Sequence, residues 1–358
     1  MKRQFTITRM IFLIILTLFT LSACNKTEES ETTPTTEETI ETETQTLETP
    51  ANTIPDGMMR SFLTGDIVSI EDGRQKPFAV MTNNVKEALP QSGIGQAAIL
   101  YEAIVEGDIT RMMAVYEDTS DLEKVGPIRS ARHNYIDFAL DNEAIFIHYG
   151  WSIFAEDRIN EMGLKTLNGL SSYEKIVFYR VSDRQAPHNV YSSGEMLEAG
   201  VKEVDLDRTV PDDYEGRLSF YEEETTPTDG VTAVNVSIPF SSSSKLEFDS
   251  AKGEYAKFQF GSEQIDAETN EQLYFKNILI QFVEYSTISG EGHQDMALTG
   301  SGKAMLITNG KAVDITWERA SETDQTTYYN SDGTPALFNA GKSYFAIVPT
   351  DFEITMTE

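Results

Sequence analysis

Hydrophobic and polar positions along this 358-residue chain fall into three regimes. Met10 to Leu21 is an apolar run broken only by Thr17 and Thr20. Residues 25–54 have no period: they hold eight Glu and eleven Thr, with Ile40, Leu47 and Ile54 as their large apolar side chains. Such a segment cannot bury enough surface to offset ordering entropy, which predicts a disordered, acidic tether. From residue 55 onward, short apolar runs recur between turn residues and predict a folded head.

In the first half of the head the runs alternate between strand and helix periods. Phe78 to Met81 reads as a strand ahead of Asn83-Asn84. Ala97 to Val105 and Thr110 to Tyr116 flank Glu106-Gly107-Asp108 as a hairpin. Tyr135 to Leu140 reads as a helix starting near Ser130 or His133. Ala144 to His148 and Ile176 to Val181 read as buried strands. Ser152 to Met162 has helical spacing with Gly163 as its stop, and Ser193 to Val204 is a helix with a serine cap. The second half is mostly β. Residues 255–260 alternate imperfectly, and Ile278 to Val283 and Phe345 to Val348 suit buried strands. Asn309-Gly310, between two apolar runs, accepts the positive φ of a type I′ hairpin turn. The expected class is α+β: a mixed α/β domain over residues 55–221, then a smaller, mostly antiparallel β domain over residues 222–358. The polar stretch 222–230 marks the division.

Charge sharpens this outline. The chain has 28 Lys+Arg against 58 Asp+Glu, a formal net charge of −30. Residues 77–192 are near balance, with ten basic and sixteen acidic residues, whereas residues 193–358 hold eleven basic and thirty acidic. The acidity excludes a nucleic-acid partner, because phosphate neutralisation needs Lys and Arg. A single cysteine excludes a disulfide scaffold.

That cysteine sits at the end of the leader. Lys2, Arg3 and Arg9 precede the apolar run, which is shorter than the roughly 20 residues of a spanning helix. The pattern fits a signal peptide over residues 1–23. Leu21-Ser22-Ala23-Cys24 resembles the bacterial lipobox. The resemblance implies that the chain is cut before Cys24 and that its sulfur carries diacylglycerol, later joined by palmitate-type acylation. Each buried lipid CH₂ contributes about 0.8 kcal/mol. The expected partner is then the lipid bilayer, and the expected location is the extracytoplasmic face of the cell membrane. The head would keep no thiol for catalysis or metal binding.

Several groups in the head carry possible chemistry. Glu102 and Glu106 share parity on an unbroken strand, so they can face one side as an acid/base pair, or pair with Arg111. In Gly126-Pro127-Ile128-Arg129-Ser130-Ala131-Arg132, a turn precedes two arginines. A helix starting near Ser130 would aim backbone N–H groups beside them, suiting a carboxylate or phosphate. The bland alternative pairs Arg129 and Arg132 internally with Glu102, Glu106 or Asp137. His148 ends an apolar strand and His188 lies in a loop, where both can reach a cleft. His133 and His293 sit in polar stretches that read as exposed. No zinc, nucleophile-elbow, phosphate-loop or calcium-loop signature appears, and no cofactor or metal is expected.

Longer stretches resemble the YerB-like lipoprotein family. They include Lys76 to Met81 with Asn83-Asn84, Pro90 to Gly93, Tyr101-Glu102, Val105-Glu106-Gly107, Ile109-Thr110-Arg111, and Gly126 to Arg132. Ala186-Pro187-His188-Asn189, Gly300-Ser301-Gly302, Asp314 to Trp317 and Asn339 to Lys342 continue the match. The resemblance implies an α/β domain followed by a β-rich domain on a lipid anchor, and it implies no reaction. The expected function is an envelope binding module for a cell-wall ligand or a membrane-protein partner. The alternative is an enzyme on envelope glycan or peptide, using Glu102 or Glu106 with Arg129, Arg132 and His188. The site candidates are thus Asn83, Asn84, Glu102, Glu106, Arg111, Arg129, Arg132, His148, His188 and Asn189, with Cys24 for lipidation.

Overall fold

The computed structural model describes residues 54–358, which fall within one compact unit. The leader, Cys24 and the tether lie outside the described residues. The protein is α+β. Its largest feature is an eleven-stranded mixed sheet. From one edge the sheet runs Val231–Thr232, Lys311–Arg319, Gly300–Thr308, Asn277–Val283, Ser343–Pro349, Ile99–Glu106, Ile109–Tyr116, Phe78–Asn83, Ile145–His148 and Leu167–Asn168. Thr327–Tyr329 pairs off this path with Lys311–Arg319. Residues from both halves of the sequence therefore build one sheet. The join is parallel, with Ser343 to Ile347 opposite Ile99 to Ala103.

A six-stranded antiparallel sheet covers one face. Its central strands are Asn235–Ile238, Ser244–Asp249 and Glu254–Gln259. Between the sheets, Val236, Leu246 and Tyr255 pack with Leu100, Ile104 and Tyr344. The opposite face carries helices His133–Asp141 and Ile153–Met162, through Tyr135, Phe138 and Ala155 against Met81, Met113 and Phe345. Burying each large apolar side chain here contributes roughly 1.5–3 kcal/mol. Strands covered on both faces explain why the run Ile278 to Val283 is apolar on both parities apart from Gln281, a buried residue that accepts from Tyr328 OH.

Local chemistry sets the ends. Ser152 Oγ accepts from Ala155 N–H at the start of its helix, and Gly163 closes it at φ 63°. Asn309 and Gly310 both have positive φ, as a type I′ turn requires. One expectation is corrected, and one pair of alternatives is decided. Ile176 to Val181 is not a strand: helix Glu174–Val177 precedes a two-residue strand, Tyr179–Arg180. The helix after the Gly126 motif begins at His133, with Arg132 at its N-cap. Ser130 is outside it.

Candidate anion-binding site at the strand ends

Residues 127–131 form a strap across the ends of Phe78–Asn83 and Ile145–His148. Arg129 N–H donates to Met81 O (3.0 Å), Tyr149 N–H to Arg129 O (3.0 Å) and Ala131 N–H to Gly150 O (2.9 Å). Ile128 N–H donates to Val190 O (2.8 Å), tying in the loop that carries His188. The N–H groups of Arg129 and Ala131 are thus consumed by the sheet, so no helix-start nest faces a ligand. Gly126 makes the strap possible. Its φ is 148°, and a Cβ there would lie 2.8 Å from Tyr191 Cδ1 and Val190 O.

The strap delivers Arg129 and Arg132 beside Arg111, whose Nη1 donates to Ser130 O. Arg132 Nε is bound to Glu106 Oε1, and Arg111 Nη2 lies 3.9 Å from Glu106 Oε2. Arg132 Nη1 donates to Ala131 O (2.9 Å), and Arg129 Nη1 to Pro187 O (3.1 Å). Arg129 Nε is buried without a hydrogen-bond partner. Asn83 Nδ2 donates to His188 Nδ1 (2.7 Å). Burial, then Arg132, pushes the Arg111 guanidinium down to about 9, with Glu106 opposing. Burial and then Arg132 also lower Arg129, and burial and then Arg129 lower His188. Three guanidiniums crowd one carboxylate, and the residual field is positive.

Glu102 does not join them. The register shifts between Ile104 and Glu106, a β-bulge that breaks the parity of the strand. Glu106 consequently turns toward Arg111, while Glu102 turns into the core between the sheets. There Glu102 Oε1 accepts from Asn84 Nδ2 (2.8 Å), Thr110 Oγ1 (2.8 Å) and Ser242 Oγ (2.7 Å). Its Oε2 accepts from Ser244 Oγ (2.8 Å) and Tyr344 OH (2.6 Å), with Lys257 Nζ at 3.5 Å. Glu102 and Lys257 are both wholly buried. Burial alone would raise the Glu102 carboxyl. Lys257 and the hydroxyls outweigh it and hold the group below its ordinary value. An acid/base pair of Glu102 and Glu106 is therefore excluded by geometry. Asn84 belongs to this buried set, not to the arginine face.

His148 is also structural. Its Nδ1–H donates to Gly150 O (2.8 Å), its Nε2 accepts from Thr166 Oγ1 (2.9 Å), and burial pushes it down to about 4. Asn189 Oδ1 accepts from Arg180 Nη1 (2.7 Å), away from the arginine trio. His133 and His293 are buried, contrary to expectation. His293 Nε2 lies 3.7 Å from Glu106, and His133 Nε2 lies 3.1 Å from Asp295. Asp137 pairs with Arg158 and Arg319. The sequence reading missed Lys257, Ser242, Ser244 and Tyr344. Lys257 left one signal: it shares strand parity with Tyr255, a core position.

A cavity of about 720 Å³ lies elsewhere, lined by Phe282, Met305, Lys303, Asp314 and Trp317 among others. It contains none of the arginines. Among the described residues, no group of three or more His, Cys, Asp and Glu is arranged to hold a metal, and no helix is long and apolar enough to cross a membrane.

Comparison with known proteins fits this architecture. Residues 63–207 match the family model "Protein of unknown function (DUF3048) N-terminal domain", and residues 235–345 match the corresponding C-terminal domain. The chain is 27% identical over 299 residues to "Putative lipoprotein YerB" of Bacillus subtilis (strain 168), covering 81% of this chain and 86% of the relative. A crystal structure of YerB protein from Bacillus subtilis superposes with a TM-score of 0.72 at 27% identity, covering 83% of this chain and 99% of that one.

Proposed function

The chain belongs to the YerB-like family, and from that premise we propose that it is a lipid-anchored binding module of the bacterial envelope. The arginine face at the strand ends is its ligand surface. One observation carries this reading. Arg111 and Arg132 share the carboxylate of Glu106, with Arg129 near enough to feel all three, inside a chain whose net charge is −30. A local surplus of positive charge on an acidic protein is suited to selecting an anion, since the acidic surface elsewhere repels anions and leaves this face as their docking point.

The attachment follows from Leu21 to Cys24 and from the lipoprotein name of the Bacillus subtilis relative. Cleavage before Cys24 and acylation of its sulfur would leave residues 25–54 between the lipid and the head. The ligand on this reading is a wall component or a wall-assembly partner outside the membrane. Binding is favoured over hydrolysis because neither acid/base candidate is free: Glu102 is sealed and hydrogen-bonded, and Glu106 is ion-paired with Arg132 and faces Arg111.

Two measurements test the reading. Radiolabelled palmitate fed to cells is expected to label the wild-type chain and not Cys24→Ser. A photocrosslinking residue at Gln185, exposed beside His188, is expected to capture an envelope protein or wall fragment. The same probe at Asp351, exposed in the turn that follows Ser343–Pro349, should not. An unlabelled chain defeats the anchor. Equal capture from both positions, or none from Gln185, defeats the ligand face.

A further inference from the structure

Glu106 answers one of three positive charges and leaves two. The unused donors agree with that count. Arg129 Nε has no partner, and Arg111 Nη2 stands 3.9 Å from the carboxylate, beyond hydrogen bonding. A carboxylate ligand would add one charge of the kind Glu106 already supplies. A phosphate bearing two would answer both and offer several acceptor oxygens to the guanidinium forks. His188 is neutral, and because its Nδ1 accepts from Asn83, its Nε2 carries a hydrogen to donate.

The rim of the site is apolar. Ile109 (45% exposed) pairs across the hairpin with Glu106. Ile153 (59% exposed) follows Ser152, whose N–H donates to Ala131 O. Leu170 (63% exposed) borders Ser130: a Cβ added at Gly150 would meet Ser130 Oγ at 3.4 Å and Leu170 Cδ1 at 3.6 Å. Exposed aliphatic side chains on the segments that border the arginines suit a ligand that is both anionic and greasy.

We propose that this site takes a doubly charged phosphate group, a monoester or a pyrophosphate, carried on a hydrocarbon body. The phosphate sits among Arg111, Arg129 and Arg132, and the hydrocarbon lies on Ile153 and Leu170. Glu106 is the resident competitor, holding the arginines in place until the stronger anion arrives. The inference rests on the reading of this face as the ligand surface and names the ligand class.

The test is calorimetric titration of the chain from residue 25 onward, whose described part is one compact unit. The probes are inorganic pyrophosphate, geranyl pyrophosphate and acetate. Pyrophosphate is expected to bind, geranyl pyrophosphate at least tenfold more tightly, and acetate not measurably. Arg129→Ala with Arg132→Ala should weaken both pyrophosphates at least a hundredfold. Leu170→Ser should weaken only the geranyl compound, about threefold or more, and Glu106→Gln should tighten pyrophosphate severalfold. If the double variant fails to fold, Arg129→Lys replaces it, with an expected tenfold loss. Acetate binding as well as pyrophosphate, or Glu106→Gln weakening it, overturns the phosphate assignment. Equal affinity for the two pyrophosphates overturns the hydrocarbon. Capture from Gln185 without pyrophosphate binding would sink this inference and leave the binding module standing.

Discussion

Glu102 and Glu106 leave the same strand four residues apart and enter opposite surroundings. Glu102 is wholly buried, with five hydrogen-bond donors and Lys257 beside it. Glu106 stays partly exposed among three arginines and His293. One extra residue in the ladder, at Val105, separates the two. In the first place the protein matches charge to charge and satisfies nearly every lone pair. In the second it leaves positive charge over. A saturated buried carboxylate holds two sheets together; an undersupplied arginine cluster waits for an anion.

The largest effect should come from breaking the saturated pair. Lys257→Met leaves the Glu102 carboxylate buried without its cation, at a cost of about 3–5 kcal/mol in urea unfolding. A cost no greater than that of Glu106→Gln would erase the contrast between the two acids. Glu117 sharpens it further, because this buried carboxylate has hydroxyl and N–H donors but no cation. Burial raises it from 4.5 to about 7, against the opposing bonds from Ser61 and Leu63. Between those values the folded protein holds a proton that the unfolded chain has lost. Stability therefore falls as the pH rises through that window, by up to about 3 kcal/mol. Glu117→Gln should flatten that slope, and parallel curves for wild type and variant from pH 5 to 8 would refute the assignment. Glu102 has the opposite sign. Its contribution is present above pH 4.5 and is lost as the pH falls through its lowered folded value.

Gly126→Ala should cost about 1–3 kcal/mol by forcing a side chain into a positive-φ position against Val190 O. A thermal midpoint equal to that of wild type would show that the strap relaxes freely. The smallest effect belongs to Glu106→Gln, within about 1 kcal/mol of wild type by the same unfolding measurement. A larger loss would mean that Glu106 is a structural ion pair and not a resident competitor.

Much of the fold was legible because local rules and tertiary context agreed. Ser152, Gly163 and Asn309-Gly310 did locally what their chemistry dictates. The arginine motif was legible as a turn followed by two cations, and its convergence with Arg111, Asn83 and His188 is what the topology added. What stayed hidden was non-local. The bulge at Val105 has no signature in composition, so shared parity wrongly put Glu102 and Glu106 on one side. His293 reaches Glu106 only because Gly107 N–H bonds to Gly292 O, a contact between distant segments. Lys257 was readable in part, since a lysine in register with a core tyrosine demands a buried anion.

The parallel join of Ser343–Pro349 to Ile99–Glu106 has a consequence for how the chain matures. Tyr344 and Glu102 are 242 positions apart. As the polypeptide emerges from its amino end, the Ile99 strand therefore displays a raw, apolar flank until Ser343–Pro349 arrives. Loop closure of that span is slow, and unpaired edges recruit other molecules in the meantime. A nascent product stopped short of residue 343 should clump rather than persist as a working half.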